Sequence, residues 1–514
     1  MHCQEYTLAP AMSTAEILRC IDNIAAGKKA AKLVFSPGKY FFSAAEFLRD
    51  YNFISNHDYA ARSMGLYFRN IDSLEIEGNG AELIFADRSL AFAFVNCRNI
   101  NLSRISIDYG CDFIVSGKTL DASGDCVDLQ LDPESRVYED DGKLFFFDDE
   151  WGKLRTSVKL MQFDSAKRCF AHNAVAMSSC RSGEILSAGV IRLTGLKKVP
   201  AAGERIVMKT EARINPAVLI SGCREFFFNE VTIRHSGAMG FIAQTCRDLK
   251  FLRCRVHPAP GREISCSDDA LHCVNCGGRI VVKECEFCNQ WDDAVNIHGI
   301  YSRYQCRNIG GNYAFLESAQ FQQNGINRAV AGEKIAFRKP DTLELKHIAE
   351  VASVRELNPQ YTVVTFTEML PAEITPGDCV ENLDRIPQVE ISDCRFYDNF
   401  ARGVLCTAPG IIAGNYFRTP SSAVYLGGDF NYWFESGAVN GLTVRNNEFD
   451  SCGYITTAPV GRAVIDIHPE LIAAEAPVFH RNILIDSNRV SGKKYLPLVC
   501  YDHADVKIGV NNNE

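Results

Sequence analysis

Residues 266–301 read CSDDALHCVNCGGRIVVKECEFCNQWDDAVNIHGIY, and an Asp-Asp pair recurs in this segment after 24 residues, at Asp268-Asp269 and again at Asp292-Asp293. In a parallel β-helix one coil takes roughly 20–30 residues, and neighbouring strands lie about 4.8 Å apart. Acidic residues one coil apart therefore stack side by side on one surface. The spacing predicts a parallel β-helix that carries four carboxylates at one place.

Crowded carboxyl groups of this kind favour one chemistry in particular. Like charges disfavour joint ionisation, and the pKa values of the groups separate as a result. Glycoside hydrolysis requires one protonated and one ionised carboxyl group at the same pH. A single Asp-Asp pair is common at turns, where it accepts backbone N–H groups. It is the recurrence of the pair that favours a catalytic site.

The second Asp pair is flanked by side chains of the types that bind sugars. Trp291 offers an aromatic wall, and Asn296 and His298 offer hydrogen-bond partners. We therefore expect these three residues to contact a substrate. A core position for Trp291 and a simple turn position for His298 remain open as alternatives.

The composition excludes several classes of partner. A chain of 514 residues with 46% hydrophobic content can form a large core. The net charge of −9 argues against a nucleic-acid surface, because phosphate binding needs a basic footprint. No window reaches about 18 consecutive apolar residues, so we expect no membrane-spanning segment. Neutral sugars remain compatible, and the sequence predicts neither a metal nor a cofactor.

The 21 cysteines indicate a reducing compartment. Their odd number does not suit a disulfide framework. Cys273, Cys276, Cys285 and Cys288 have a spacing that zinc could use, but they alternate with core residues, which favours buried thiols instead. The N-terminus has no basic region followed by an apolar run, so we expect a cytoplasmic protein. A start of the chain missing from this sequence would instead allow a periplasmic or secreted one.

A capping helix and a repeated turn signature support a stacked architecture. Residues 13–27 predict a helix with a capping box of Ser13 and Glu16 and with Gly27 as its end. Later segments share Cys or Asn, one further residue, and then Phe or Val. This signature begins at Cys254, Cys285, Cys394, Asn415, Asn447 and Asn488. Irregular gaps between its copies are typical of coils that carry loops of different length.

Two stretches interrupt the coils and read as hairpins and tight turns, which predicts small inserted β-barrels. The expected class is all-β. The predicted organisation is an N-terminal cap with first coils at 1–111, an inserted barrel at 112–210, coils with the acidic pairs at 211–305, a second inserted barrel at 306–387 and C-terminal coils at 388–514.

Several ordered segments resemble glycoside hydrolase family 110, the exo-α-1,3-galactosidases. They are the SNHD segment at 55–58, IRHSGAMGFIAQ at 233–244, DDALH, NQWDDAVNIHGIY at 289–301, ARGVL at 401–405 and GGDFNYWFESGAV at 427–439. The resemblance spans most of residues 30–500. It implies a right-handed parallel β-helix and an inverting enzyme that removes terminal galactose from blood-group-B or linear α-galactosyl glycans.

The resemblance also implies roles for the acids. Asp292 resembles the general acid of the family, and Asp269 with Asp293 resembles the general base. Stacking alone leaves the choice between Asp268 and Asp269 open, because each lies 24 residues before a member of the second pair. By the resemblance, Asp268 is an addition to the family pattern. We expect its replacement by Asn to lower turnover less than the same replacement at Asp269, Asp292 or Asp293.

Later segments that resemble the family contain candidate substrate contacts. We expect Arg402, Asp429, Trp433 and Glu435 to shape a pocket, with Trp433 as a stacking platform for galactose. A loop salt bridge is the alternative for Asp429 and for Glu435.

Two other functions fit a β-helix. A polygalacturonase-like enzyme would need a basic clamp for its acidic polymer, and the sequence has no such clamp near the acids. A non-catalytic glycan-binding β-helix would carry carboxylates along many coils, whereas here they concentrate in one region. The sequence does not indicate an oligomeric state.

Overall fold

The acidic repeat lies on adjacent coils in the same register. In the computed structural model, strand Leu271–Val274 pairs in parallel with strand Val295–Ile300, and Leu271 lies opposite Val295. The offset of 24 residues seen in the sequence is therefore one coil. The all-β class and the parallel β-helix are confirmed. The structure describes residues 4–27, 29–133, 135, 137–140, 143–146, 158–172, 182–210, 212–305, 311–455, 461–470, 473 and 475–513.

The larger sheet runs along the whole stack, and its described strands pair in parallel from coil to coil. These strands are Gln4–Leu8, Ala31–Phe35, Lys39–Phe42, Leu74–Phe85, Arg98–Tyr109, Arg224–Asn229, Thr232–Ile233, Arg247–Leu252, Arg255–Val256, Gly277–Lys283, Glu286–Cys288, Gln388–Ser392, Arg395–Tyr397, Gly410–Ala413, Tyr416–Arg418, Asn440–Arg445, Glu448–Asp450, His480–Asp486, Arg489–Ser491, Ala504–Ile508 and Asn512–Asn513.

A second sheet carries the acidic segments, and we call it the site sheet. Its path is Leu48–Tyr51, Ala61–Arg69, Leu90–Val95, Val218–Ser221, Phe241–Gln244, Leu271–Val274, Val295–Ile300, Val404–Cys406, Val424–Leu426, Ile465–Ile467 and Val499–Tyr501. The first two strands of this path pair with each other in antiparallel fashion, and every later neighbouring pair is parallel. The short strand Glu435–Ser436 joins Val295–Ile300 in antiparallel fashion.

The core lies between the sheets and consists of side chains stacked from coil to coil. Phe228 lies over Phe251 with ring centroids 5.0 Å apart and an interplanar angle of 6°. Phe417 contacts Phe449 at 5.3 Å in the later coils. Equivalent positions of successive coils hold similar side chains because parallel pairing places them about 4.8 Å apart. This stacking explains the aromatic position of the repeated signature.

The Cys or Asn position of the signature satisfies buried backbone groups at a turn of each coil. The N–H of Cys285 donates to Sγ of Cys394 at 3.3 Å, and the N–H of Cys394 donates to Oδ1 of Asn415 at 2.9 Å. Asn415 and Asn447 continue the ladder, their N–H groups donating at 3.0 and 3.1 Å to the Oδ1 of Asn447 and of Asn488. One side chain per coil thus removes the penalty of an unpaired buried donor.

The four cysteines considered for zinc belong to two separate parts of the coils. The thiol of Cys276 donates to the carbonyl of Ala243, whereas the thiol of Cys285 donates to the carbonyl of Phe251. All four side chains are buried. All four behave as small core residues, and Cys276 and Cys285 also bond the backbone of the preceding coil.

Both interruptions of the stack form antiparallel structures. In the first, strands Val115–Ser123, Cys126–Leu131, Val158–Asp164, Cys169–Phe170, Ser182–Ser187, Val190–Thr194 and Arg205–Thr210 form one sheet, and Val137–Asp140 pairs with Lys143–Phe146. In the second, strands Ser302–Tyr304, Tyr313–Ser318, Lys334–Arg338, Leu345–Glu356, Tyr361–Phe366 and Cys379–Asn382 close into a barrel. Each has its own hydrophobic core.

The predicted N-terminal helix spans Thr14–Gly27. Its capping box is present, because the N–H of Ser13 donates to the Glu16 carboxylate at 2.8 Å and the N–H of Glu16 donates to Oγ of Ser13 at 3.3 Å. Ile17 and Ile21 on its buried face join the main core. Short 3₁₀ turns occur at Ala44–Glu46, Phe321–Gln323 and Leu383–Arg385. Within the described residues, no helix has the length and apolar character needed to cross a bilayer.

The asparagine ladder can be tested by removing one amide. Nδ2 of Asn447 donates to the carbonyl of Ile412 at 2.9 Å, and its Oδ1 accepts the N–H of Asn415. We expect Asn447→Ala to lower the free energy of unfolding by about 1–3 kcal/mol, because buried backbone groups lose their partners. Asn440→Ala is the matched control, since it removes an exposed amide pair with Asn482. Equal losses for both variants in urea unfolding would contradict this role of the ladder.

Candidate active site

Two neighbouring turns of the site sheet bring the acids together. Asp268 and Asp269 end the segment before strand Leu271–Val274, and Asp292 and Asp293 end the segment before the next strand. The N–H of Ala270 donates to the Asp293 carbonyl at 3.1 Å, which locks the two turns together. The N–H of Asp293 donates to Oδ1 of Asp269, also at 3.1 Å. The register of the coils thus aims the carboxylates at one spot.

Asp269, Asp292 and Asp293 form the acidic centre. One oxygen from each lies within 4.8 Å of the other two. The side chain of Asp292 is 29% exposed, whereas Asp269 and Asp293 are buried. Burial raises the pKa of both buried carboxyl groups well above the usual range, and the neighbouring acids raise it further. The two buried acids therefore hold protons more strongly than ordinary carboxylates do.

Two arginines provide the opposing charge. The N–H of Arg402 donates to Oδ1 of Asp293 at 2.8 Å, and its Nη1 lies 3.5 Å from Oδ2. Nη2 of Arg213 lies 3.4 Å from Oδ2 of Asp292. Arg402 stacks over the ring of Tyr425 at 4.7 Å. These contacts place one fixed cation against each of the acids of the second pair.

Asp268 faces away from the acidic centre and into a buried cluster of cations. Its Oδ1 lies 2.9 Å from Nζ of Lys209 and 2.9 Å from Nε of Arg213. Burial raises the pKa of Asp268, but the charges of Arg213 and Lys209 outweigh burial and hold the pKa below the usual value. Asp268 is therefore an ionised anchor for Arg213. The milder effect on turnover expected for Asp268→Asn stays a prediction, whereas the fold depends on this carboxylate because its removal leaves the buried Lys209 without an anion.

A pair of histidines lies behind Asp269. Nδ1 of His272 is 2.6 Å from Oδ2 of Asp269. Nε2 of His272 is 3.0 Å from Nε2 of His298, whose Nδ1 is 2.6 Å from the carbonyl of Gly299. Both rings are buried. His298 thus contacts the site through His272, and it does not line the cavity that we describe next.

A cavity of about 230 Å³ opens in front of the acids. It is lined by the acidic centre together with Asn56, Arg213, His272, Asn296, Arg402, Leu405, Tyr425, Gly427, Gly428, Asp429, Tyr432, Trp433, Glu435 and Glu470. The predicted residues Asn296, Arg402, Asp429, Trp433 and Glu435 are thus brought together around it. Carboxylates, amides, guanidinium groups and aromatic rings converge on one small space, as in sites that bind polar ligands.

Trp291 lies outside the cavity, contrary to its expected contact with substrate. Its ring packs against Phe170 at 5.3 Å and Phe400 at 6.1 Å. Phe170 belongs to the first inserted sheet, so Trp291 forms part of the core between that sheet and the coils. Nζ of Lys209 lies 5.8 Å from the centre of the same ring. The tryptophan supports the cation behind Asp268 instead of facing a sugar.

Trp433 is the tryptophan at the cavity, and Asp429 holds the loop that carries it. The Asp429 carboxylate accepts the N–H groups of Asn431 at 2.6 Å, Tyr432 at 3.0 Å and Phe434 at 3.2 Å, and also that of Trp433. The guanidinium of Arg213 lies 5.4 Å from the centre of the Trp433 ring. Asp429 therefore shapes the loop through backbone groups, as in turns capped by a carboxylate.

Glu435 lies on the short antiparallel strand beside the histidines. Its Oε1 is 3.5 Å from Nε2 of His298. Burial raises the pKa of this carboxyl group. The residue lines the cavity, as expected, and its described partner here is a histidine ring whose pKa burial lowers to about 3, so the contact is not the salt bridge considered as the alternative.

Sequence reasoning missed three residues that face the acids. Arg213 follows the first insertion and is far from both acidic pairs in the chain. No local sequence pattern predicts that it contacts the acids. His272 lies three residues after Asp269, so the DDALH segment did contain a signal. Asn56 occurs in the SNHD segment and has a left-handed backbone with φ of 59°. Asn is among the residues that adopt such a φ most readily, and several other Asn residues of this protein do so, so this φ alone gives no functional signal.

Among the described residues, the acidic centre is also the one group of side chains with the spacing of a metal site. Oxygen ligands of this kind suit a hard divalent cation. Arg213 and Arg402 already place positive charge against two of the three acids. The arrangement supports acid–base chemistry without a further charge.

The chain is similar to characterised galactosidases over most of its length. A family model described as GLAA-B beta-barrel domain II matches residues 317–380. The chain is 30% identical to alpha-1,3-galactosidase A of Shewanella woodyi, over 89% of this chain and 76% of the relative. It is 28% identical to alpha-1,3-galactosidase B of Bacteroides thetaiotaomicron, with the same coverage of 89% and 76%.

The similar solved structures are much more distant in sequence. The catalytic domain of a family 87 alpha-1,3-glucanase in complex with tetrasaccharides has 8% identity and a TM-score of 0.43, over 99% of this chain and 58% of that one. An exopolygalacturonase from Thermotoga maritima has 8% identity and a TM-score of 0.40, over 100% and 92% of the two chains.

The buried ion pairs of Asp268 give a prediction about stability. We expect Asp268→Asn to lower the free energy of unfolding by about 3–5 kcal/mol, because the buried Lys209 loses its anion and Arg213 keeps only its longer contact with Asp292. Glu75→Gln is a matched control, since it breaks the exposed pair with Lys32 and should cost less than about 1 kcal/mol. Urea unfolding of both variants checks this. A small, equal loss for the two would remove Asp268 from its anchoring role.

Proposed function

The chain belongs to the α-1,3-galactosidases of glycoside hydrolase family 110, and we propose that it hydrolyses terminal α-1,3-linked galactose of blood-group-B or linear α-galactosyl glycans. Membership of the family confirms the resemblance that the sequence segments carry. The chain is thus a glycoside hydrolase. The observation that carries the proposal for this site is the convergence of Asp269, Asp292 and Asp293 at one wall of a small polar cavity.

The size of the cavity supports exo action. Pockets that take drug-sized ligands measure roughly 300–1,000 Å³. The volume here is about 230 Å³, which suits one sugar ring better than a segment of polysaccharide. Trp433 and Tyr425 supply apolar faces for such a ring, and Asn296 and Glu435 supply polar groups for its hydroxyls. A terminal galactose therefore fits the proposal, with the rest of the glycan outside.

Asp292 is the proposed general acid. It is the most exposed member of the acidic centre, so it can reach the glycosidic oxygen of a bound sugar. In the proposed step it donates a proton to the departing oxygen as the bond to the anomeric carbon breaks. The leaving glycan then departs with that proton through the open side of the cavity.

Asp269 and Asp293 are the proposed general base. They are hydrogen-bonded to each other through the N–H of Asp293, and burial raises the pKa of both. A base is most effective when its pKa lies near the working pH, so a raised value suits this task. The ionised pair takes a proton from water, and the hydroxide oxygen bonds to the anomeric carbon from the face opposite the leaving group.

This scheme inverts the configuration and releases β-galactose. Inverting enzymes usually keep roughly 6.5–9.5 Å between acid and base, and retaining enzymes about 5–5.5 Å. The nearest oxygens of the acidic centre lie within 4.8 Å, which is closer than the inverting range. Inversion in this proposal therefore rests on the resemblance to the family and not on this distance.

The stereochemistry can be measured directly. We expect proton NMR of the purified protein with Gal-α-1,3-Gal to show the β anomer of galactose first, with the α anomer appearing only by mutarotation. α-Galactose at the earliest times would replace inversion with a retaining mechanism. If neither this disaccharide nor the fucosylated B trisaccharide releases galactose, the proposed substrate class is wrong.

The role of Asp292 gives a second test. We expect Asp292→Asn to lower kcat/KM on natural galactosides by several orders of magnitude, and to lower it much less on an aryl galactoside with an activated phenol leaving group, which needs little protonation. Asp293→Asn is the comparison, because removal of the base should slow both substrates alike. Equal losses for Asp292→Asn on the two substrates would exclude it as the general acid.

A further inference from the structure

Asp269, His272 and His298 form an unbroken hydrogen-bonded chain inside the protein. Its first link joins Oδ2 of Asp269 to Nδ1 of His272 at 2.6 Å, and its second joins Nε2 of His272 to Nε2 of His298 at 3.0 Å. The chain ends where Nδ1 of His298 meets the carbonyl of Gly299 at 2.6 Å. All three side chains are buried, and each of these atoms has a partner within the protein.

The number of protons in this chain follows from its ends. A carbonyl oxygen only accepts, so Nδ1 of His298 carries a proton. Each of the other two links joins a pair of atoms that both accept when unprotonated, and each needs one proton between them. The geometry therefore requires three protons. An ionised carboxylate with two neutral imidazoles has only two, and one link would then bring two lone pairs together.

We propose that Asp269, His272 and His298 share one proton more than an ionised carboxylate and two neutral histidines hold, and that the two histidines thereby set the pH at which Asp269 becomes ionised. In one arrangement the proton is bonded to Oδ2 of Asp269. In the second arrangement this proton has moved to Nδ1 of His272. In the third, the proton on Nε2 of His272 has also moved, to Nε2 of His298. No arrangement breaks a hydrogen bond of the chain.

The surroundings favour the arrangement with the proton on Asp269. Burial lowers the pKa of His272 to about 4 and that of His298 to about 3. Burial raises the pKa of Asp269, and so does the charge of Asp292. Asp268, Arg213 and Glu435 also act on this chain, and Glu435 lies 3.5 Å from His298. Asp293 faces Asp269 across the acidic centre, with one oxygen of each within 4.8 Å of the other.

The consequence for catalysis rests on the proposed function. If Asp269 is part of the base, the shared proton blocks it at low pH, and kcat/KM rises as the pH passes the point where Asp269 loses this proton. His272 and His298 are then positioning residues, because neither needs to touch the substrate for this effect. The hydrogen-bonded chain can therefore be tested whether or not the protein is active.

Neutron diffraction of deuterium-exchanged crystals tests the proton count without an assay. We expect three deuterons: one between Asp269 and His272, one between the two Nε2 atoms, and one on Nδ1 of His298. Only two deuterons in crystals kept at low pH, below the point where Asp269 loses the shared proton, with one link empty, would overturn the proposal. This result stands even if the protein fails to cleave α-galactosides, so the two failures are distinguishable.

A variant supplies the second readout. In His298→Gln the amide can donate to Nε2 of His272, which lets Nδ1 of His272 carry the proton and donate to an ionised Asp269. The third proton is then unnecessary, and we expect the acid limb of kcat/KM to move to lower pH by about one unit. His480→Gln is the matched control, because His480 is equally buried but lies on a later coil and outside this chain.

A purely structural role for His298 would give a different pattern. It would lower kcat/KM by the same factor at every pH and leave the acid limb of His298→Gln where it is in the unaltered protein. That outcome, or an equal shift in His480→Gln, would overturn the proposal. If the His298→Gln protein does not fold, the neutron measurement on the unaltered protein still tests the number of protons.

Discussion

The parallel register between coils is the constraint on which this structure depends. Each coil donates its backbone N–H groups to the coil beside it, so a residue keeps a fixed partner one coil away. The Asp269 and Asp293 turns are joined in this way, and the next coil continues it when the N–H of Ala294 donates to the Arg402 carbonyl. The site is therefore a column across three coils, and a shift of one residue in any of them would turn its side chain to the other face.

Such a column concentrates negative charge inside the protein, and the rest of the site balances it. Arg402 lies in the coil after the second acidic pair, and Arg213 reaches Asp292 from the segment after the first insertion. Asp268 holds Arg213 in turn, and Lys209 also pairs with Asp268. Burial of ionic groups is tolerated only where each has a partner and hydrogen bonds. The first insertion therefore contributes to the site by supplying Lys209 and by leading into the segment with Arg213.

Local and periodic features of the fold could be predicted from the sequence. The capping helix, the turn signature at Cys285 and Asn415, and the stacking of the Asp pairs all follow from spacing that parallel pairing imposes. The family motifs added the cavity residues Arg402 and Trp433, which the structure brings to the acids. These features share a physical basis, because each repeats from coil to coil or lies within one segment.

The rest depends on contacts between distant segments. Arg213 was missed because its partners Asp268 and Asp292 lie on other coils, and no spacing links them. Trp291 was expected to face a sugar, but the inserted sheet places Phe170 against it. The orientation of Asp268 away from its neighbour Asp269 likewise depends on Lys209, which is supplied by the insertion.

The second barrel has a consequence for the order of assembly. Strand Gly277–Lys283 pairs with Gln388–Ser392, and the whole barrel lies between them in the chain. Arg402, the partner of Asp293, therefore follows the barrel in the chain and is synthesised after it. Long loops slow the formation of contacts because closing them costs chain entropy, but a folded barrel holds its two ends close. Strand Ser302–Tyr304 pairs with Cys379–Asn382 at the two ends of the barrel, so a folded barrel shortens the effective loop between the coils on either side of it.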